Sequence, residues 1–183
     1  MKLRTLALVL LLVPAPAVAQ SAGAAPAQGA QTNLGVTYAA FRSIQPGMTR
    51  EAIDALTGVQ GTLASSMNMG GSVSETWSWK KGPLEFFNVT FNNGKAMMSL
   101  QAGLSPAGNA PAVSLAQFNQ FADGITYQQA VQILGSPGTF TGFTDVMGMV
   151  SQGYSWKGAS LGSMMTASFR DGKLTTKFQA GLR

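Results

Sequence analysis

The sequence predicts an α+β fold made of two tandem repeats, each a helix-loop-helix packed on a four-stranded antiparallel sheet. Three observations predict it. The stretch Phe41-Arg42-Ser43-Ile44-Gln45-Pro46-Gly47-Met48-Thr49 returns 77 residues later as Phe118-Asn119-Gln120-Phe121-Ala122-Asp123-Gly124-Ile125-Thr126. In each copy the apolar positions first recur every three to four residues and then every two. Both copies close on the same four residues, Gln101-Ala102-Gly103-Leu104 and Gln179-Ala180-Gly181-Leu182. A repeat of this kind decides the architecture before any local reading does.

Residues 1–19 read as a secretory signal. Lys2 and Arg4 form its charged start, Leu6 to Val13 its apolar core, and Ala17-Val18-Ala19 a small-x-small cleavage site that leaves Gln20 first. The apolar run is well short of the ~20 residues a membrane span needs. The expected location is therefore outside the cytoplasm, in the periplasm or the medium. Residues 20–36 are rich in Ala, Gly, Gln, Pro and Ser and carry no charge, the composition of a flexible tether. The chain has no cysteine, so packing alone must hold it together.

The first repeat spans 37–104. Tyr38, Phe41 and Ile44 make a helical stripe, Pro46-Gly47 turns the chain, and Thr49 caps a second helix that buries Ala52, Ile53 and Leu56 and ends at Gly58. Glu51 and Asp54 on that helix read as a solvated face. Strands follow. Trp77 and Trp79 alternate with Thr76, Ser78 and Lys80, and Phe87, Val89 and Phe91 alternate with Asn88, Thr90 and Asn92. Asn93-Gly94 is a two-residue hairpin signal. On the returning strand strict alternation places Ala96, Met98, Leu100 and Ala102 on the core face and Lys95, Met97, Ser99 and Gln101 on the other. Residues 105–113 form a linker, and 114–183 repeat the scheme. Tyr154-Ser155-Trp156-Lys157 stands for Trp77-Ser78-Trp79-Lys80, and Asp171-Gly172-Lys173 for Asn93-Gly94-Lys95. A single unit buries little surface, so the two units are expected to pack with their sheets side by side. Helices then cover one face of the sheet and leave the other to water or a partner.

The chemistry is restrictive. There is no His and no Cys, which removes Ser-His-Asp and Cys-His catalysis and the usual zinc sites. Gly158-Ala159-Ser160-Leu161-Gly162 matches a nucleophile-elbow pattern, but it lies between strands with no base and reads as a hairpin loop. The expectation is a non-enzyme without metal or cofactor. Removing Lys2 and Arg4 brings the formal charge from +5 to +3, too mild for a nucleic-acid binder. The expected partner is a globular protein, bound on the open sheet face through Lys80, Lys81, Lys95, Ser99, Gln101, Lys157, Lys173, Lys177 and Gln179. The alternative is a cell-envelope assembly or lipid-surface protein that touches a membrane.

The two openings, the Trp-Lys pairs, the Asn/Asp-Gly turns and the closing Gln-Ala-Gly-Leu resemble the tandem β-lactamase inhibitory protein (BLIP) family over residues 38 to 183. Each repeat is also similar to the outer-membrane assembly domain called BamE or SmpA. The first resemblance implies an exported inhibitor that grips a β-lactamase or another exported enzyme with a concave sheet. It also implies departures. The family has a disulfide in each repeat, and it presses an acidic loop of the first repeat into the enzyme. The matching loop here is Lys80-Lys81-Gly82-Pro83. Large aromatics of the family's last strands fall at Ser168 and Ala180.

Overall fold

The computed structural model describes residues 33–183. The signal segment 1–19 and all but the last four residues of the 20–36 tether lie outside the described residues. Those four, Asn33 to Val36, pack on the first repeat: Leu34 N–H donates to Leu56 O at 3.0 Å and Val36 is buried.

Each repeat opens with two short helices fixed by side-chain caps. α1 (Tyr38–Ser43) is capped by Thr37 and α2 (Arg50–Thr57) by Thr49, whose hydroxyl accepts from Ala52 N–H. α3 (Leu115–Asn119) and α4 (Tyr127–Leu134) carry full capping boxes, Ser114 with Gln117 and Thr126 with Gln129. α2 and α4 end at Gly58 and Gly135, both left-handed, as their place after the last apolar residue predicts.

Eight strands follow in two groups of four. These are β1 (Thr62–Met69), β2 (Ser72–Lys80), β3 (Phe86–Asn92) and β4 (Lys95–Ala102), then β5 (Thr139–Val146), β6 (Met149–Lys157), β7 (Met164–Arg170) and β8 (Lys173–Ala180). They form one antiparallel sheet in sequence order. Asn93-Gly94 and Asp171-Gly172 close hairpins with both φ angles positive, the geometry that matches strand twist.

The core lies on one face. Trp79, Phe87, Val89 and Phe91 of the first repeat and Tyr154, Trp156, Met165 and Phe169 of the second are buried there with Phe41, Ile44, Ile53, Phe121 and Leu134. Each buried tryptophan needs a partner for its indole N–H. Trp156 donates to Ser136 O at 3.0 Å, and Trp79 donates to Asp54 Oδ1 at 2.9 Å. Asp54 therefore does not belong to a solvated face. It also accepts from Gly61 N–H and pairs with Arg50, so the helix presents it to the sheet.

The repeats share this core. β4 and β5 join through three pairs: Met98 with Thr144, Ser99 with Phe143, and Leu100 with Gly142. Behind that seam α1 reaches into the second repeat. Phe140 N–H donates to the Tyr38 hydroxyl at 2.7 Å, the Phe41 ring stands 5.4 Å from Phe140, and the Arg42 guanidinium lies 4.8 Å from the Phe140 ring. At Gly142 (φ 151°) a Cβ would stand 1.9 Å from Ser99 O, so this position accepts no side chain. G142A should thus cost about 3 kcal/mol, at the upper end for an overpacked site. Urea denaturation measures it, and a loss below about 1 kcal/mol would show that the seam tolerates the methyl group.

Next to the seam, Tyr127 stacks on Tyr154 with ring centroids 4.3 Å apart and donates to Pro137 O at 2.9 Å. Burial, followed by the neighbouring Tyr154, pushes the Tyr127 phenol up to about 12, and burial also raises Tyr154 against the pull of Arg42. A phenol unfolded at its ordinary value of 10 loses its proton first. The stability it lends is therefore complete below pH 10 and lost as pH rises toward 12. The urea midpoint of the wild type should fall across that window. Y127F should flatten the fall, and an unchanged profile would rule out Tyr127 as its source.

Candidate functional site

The face of the sheet away from the helices is the surface left for a partner, and strand pairing decides which side chains it carries. Both repeats break their alternation at the same place. β4 has a bulge where Thr90 faces Met98 but Phe91 faces Ala96, which leaves Met97 unpaired. β8 has one where Ser168 faces Thr176 but Phe169 faces Leu174, which leaves Thr175 unpaired. One extra residue flips every later side chain to the other face.

That flip corrects four of the nine expected contact residues. Ser99, paired with buried Val89, is 3% exposed and accepts from Phe143 N–H. Gln101 donates to Phe140 O and accepts from Leu104 N–H, while Gln179 accepts from Leu182 N–H in the same way. Lys177 donates to Phe118 O at 3.2 Å and Phe121 O at 2.7 Å, with its ammonium 4.5 Å from the Phe118 ring. All four sit on the helix-covered face and tie it together. A fifth, Lys81, lies in the loop between β2 and β3 and pairs with Glu85 at 2.9 Å. Lys80, Lys95, Lys157 and Lys173 are exposed on the open face, as the alternation predicts.

The same flip brings out residues that strict alternation hides. Met98 and Leu100 move from the expected core face to the open face, where Leu100 is 49% exposed. Phe178, opposite Thr166, is 63% exposed. The one mark of the first bulge in the sequence is Ala96-Met97-Met98, three apolar residues in a row where alternation fails. Two loop tips also escape the pattern. Leu84 and Leu161, 77 residues apart, stand in equivalent loops and are strongly exposed, Leu161 fully. The loop that carries Leu161 joins β6 to β7, so the elbow-like Gly158 to Gly162 segment is a strand connection.

Across the middle of the open face runs a trough of about 300 Å³, lined by Met98, Leu100, Thr141, Thr144, Ser151 and Ser168 and floored by Gly142 and Gly153. Two facing glycines put bare backbone at its base, so a protruding side chain of a partner can reach the sheet. Around it the face is hydroxylic, as in the Thr76–Thr90 pair at 2.9 Å. No group of three or more His, Cys, Asp or Glu side chains among the described residues could hold a metal ion. The arrangement offers shape, apolar contact and hydrogen bonding.

The family model of the beta-lactamase inhibitor (BLIP) matches residues 37–149 and 122–183. Among solved structures, a candidate beta-lactamase inhibitor protein from Streptococcus mutans is similar in fold. Its TM-score is 0.61 at 17% identity, over 75% of this chain and 85% of that one. No curated protein matches the sequence.

The placement of Lys177 separates a fold residue from a contact residue. K177A should lower stability by about 1–2 kcal/mol, the range for a charge-assisted hydrogen bond, and leave partner affinity within about twofold. Thermal unfolding and binding measured on one preparation check both. A variant of native stability with weakened binding would return Lys177 to the contact surface.

Proposed function

Because the chain belongs to the beta-lactamase inhibitor (BLIP) family, we propose that it is an exported protein-binding module that inhibits an enzyme, a β-lactamase foremost, by laying the open face of its sheet against it. The observation that supports this best is the continuous open face of eight strands with the glycine-floored trough at its middle. A shared core makes that face one rigid surface, and a preformed surface loses little entropy on binding. The trough with Met98 and Leu100 at its rim supplies the central apolar anchor that protein interfaces rest on. The face carries hydroxyls, thioethers and lysines, which supply hydrogen bonds, apolar contact and charge to a partner.

The contact set follows from the face assignment. Lys80, Lys95, Lys157 and Lys173 remain from the sequence reading, and Met98, Leu100 and Phe178 join them. The family's acidic inhibitory loop corresponds to the β2–β3 loop. Here Lys81 and Glu85 neutralise each other and Leu84 is exposed, so this loop acts as an apolar contact and not as a charged plug.

Purified protein titrated against a panel of β-lactamases, with hydrolysis of a chromogenic cephalosporin as readout, tests the reading. At least one enzyme should be inhibited, and M98A/L100A should weaken that inhibition by about tenfold to a hundredfold with the fold intact. Failure to inhibit or bind any enzyme of the panel at micromolar concentration would sink the inhibitor reading.

A further inference from the structure

The charges of the open face are all of one sign. Its strand positions carry Lys80, Lys95, Lys157, Arg170 and Lys173, all exposed, and no carboxylate. None of these five forms a salt bridge among the described residues. The acids lie off these strand positions, with Asp171 flanking Arg170 and Lys173 and Asp145 lining a hollow with Lys95. Glu51 and Asp54 are on α2 with Arg50. Glu85 is paired in its loop, and Glu75 points to the helix side and accepts from Trp77 Nε1. Asp145 is on the helix side of β5 and accepts from Gly148 N–H. Asp123 is in the loop before α4, and Asp171 is at a hairpin tip.

The cations are also ordered. Lys80 and Lys157 occupy the last positions of β2 and β6. Lys95 and Lys173 occupy the first positions of β4 and β8, and Arg170 stands opposite Lys173. From the pairs that hold Lys95 and Arg170, six residues run along β2 from Ser74 to Lys80 and along β6 from Ser151 to Lys157. At strand rise that sets two rows of cations about 20 Å apart. The hydroxylic band and the trough lie between them. Both repeats place the same lysines, Lys80 with Lys157 and Lys95 with Lys173, so the pattern occurs twice in one chain.

We propose that the open face docks an acidic protein surface, whose carboxylates meet the two cationic rows while a neutral apolar ridge between them fills the trough. This rests on the reading that the open face is the docking surface, and it names the chemistry of the partner. A second copy of the chain does not fit, since it would bring like charges together. The rows act on encounter: unpaired surface cations steer an acidic partner and raise the association rate, and salt screens them. Contacts in the trough govern dissociation.

The experiment uses two forms of green fluorescent protein as probes, one negatively supercharged and one near neutral, with the full chain immobilised. At about 20 mM NaCl the acidic form should associate at least about tenfold faster than the neutral one, and about 300 mM NaCl should remove most of that difference. K80E/K157E and K95E/K173E should each lower the acidic form's association rate by about tenfold. K81E, which reverses one lysine of the β2–β3 loop and not a pair on the face, should change it clearly less, by about threefold. Melting curves confirm that the variants fold, and the Lys→Gln pairs should give the same ranking. Equal association of the two forms overturns the proposal. So does an equal loss in K81E, or tighter retention of a DNA duplex or of phosphatidylglycerol vesicles than of the acidic protein. The probe is no enzyme, so a failed β-lactamase panel and a failed charge test are separate results.

Discussion

Phe140 is where the two halves of this protein become one. Its ring takes Phe41 and Arg42 from the first repeat, and its backbone N–H is held by the Tyr38 hydroxyl. The rest of the structure depends on this contact, because each half alone has only a small core. There are no cysteines to cross-link, and a unit of about 70 residues buries only a modest share of its surface. A single apolar cluster running through both repeats answers that shortage. The three strand pairs at the seam then need to fix register only, and a glycine at that point lets the strands approach closely enough to do so.

The two faces of the sheet divide the polar residues between them. On the helix side, polar groups are consumed internally. Gln101 and Gln179 hold the backbone N–H of Leu104 and Leu182, and Lys177 closes the end of α3 by taking its Phe118 carbonyl and the Phe121 carbonyl just beyond it. This explains why the repeats end on the same four residues: the glutamine turns the chain and the leucine is buried beneath it. On the other side the lysines form no ion pair among the described residues, and hydroxyls bond one another, as Thr76 and Thr90 do. Hydroxyls fill the centre and cations the ends. A surface of that kind adds little to the stability of the fold and stays available for binding.

Much of the architecture was legible in the sequence because it rests on local rules applied twice. Thr49 and Thr126 cap helices, Gly58 and Gly135 end them, and Asn93-Gly94 and Asp171-Gly172 turn hairpins. These signals sit within a few residues of what they control. The make-up of the open face was only half legible. Lys80, Lys95, Lys157 and Lys173 precede the bulges or lie apart from them, so alternation places them correctly. Ser99, Gln101, Lys177 and Gln179 follow a bulge and are all displaced to the opposite face. A bulge is set by pairing with the neighbouring strand, and a single strand's sequence scarcely records it. Asp54 was misread for a similar reason. Its partner, Trp79, lies 25 residues away, beyond the reach of any helical pattern.

The seam also determines how far the sheet can grow. Among the described residues β1 and β8 end the sheet, and by the repeat they correspond to β5 and β4, the very strands that join in the middle. A second molecule could in principle offer its β8 to this β1 and extend the sheet without limit, since a head-to-tail joint of this kind does not close. The position that corresponds to Gly142 on β1 is Ser65. Ser65 lacks the positive φ that Gly142 adopts, so it cannot reproduce the seam conformation unchanged, and Lys177 would take the place of buried Ser99. A joint between chains would therefore set an ammonium where the seam within the chain buries a hydroxyl, at a desolvation cost. Two differences between the repeats, Gly142 against Ser65 and Ser99 against Lys177, thus weigh against growth of the sheet past two units and leave β1 and β8 as its ends.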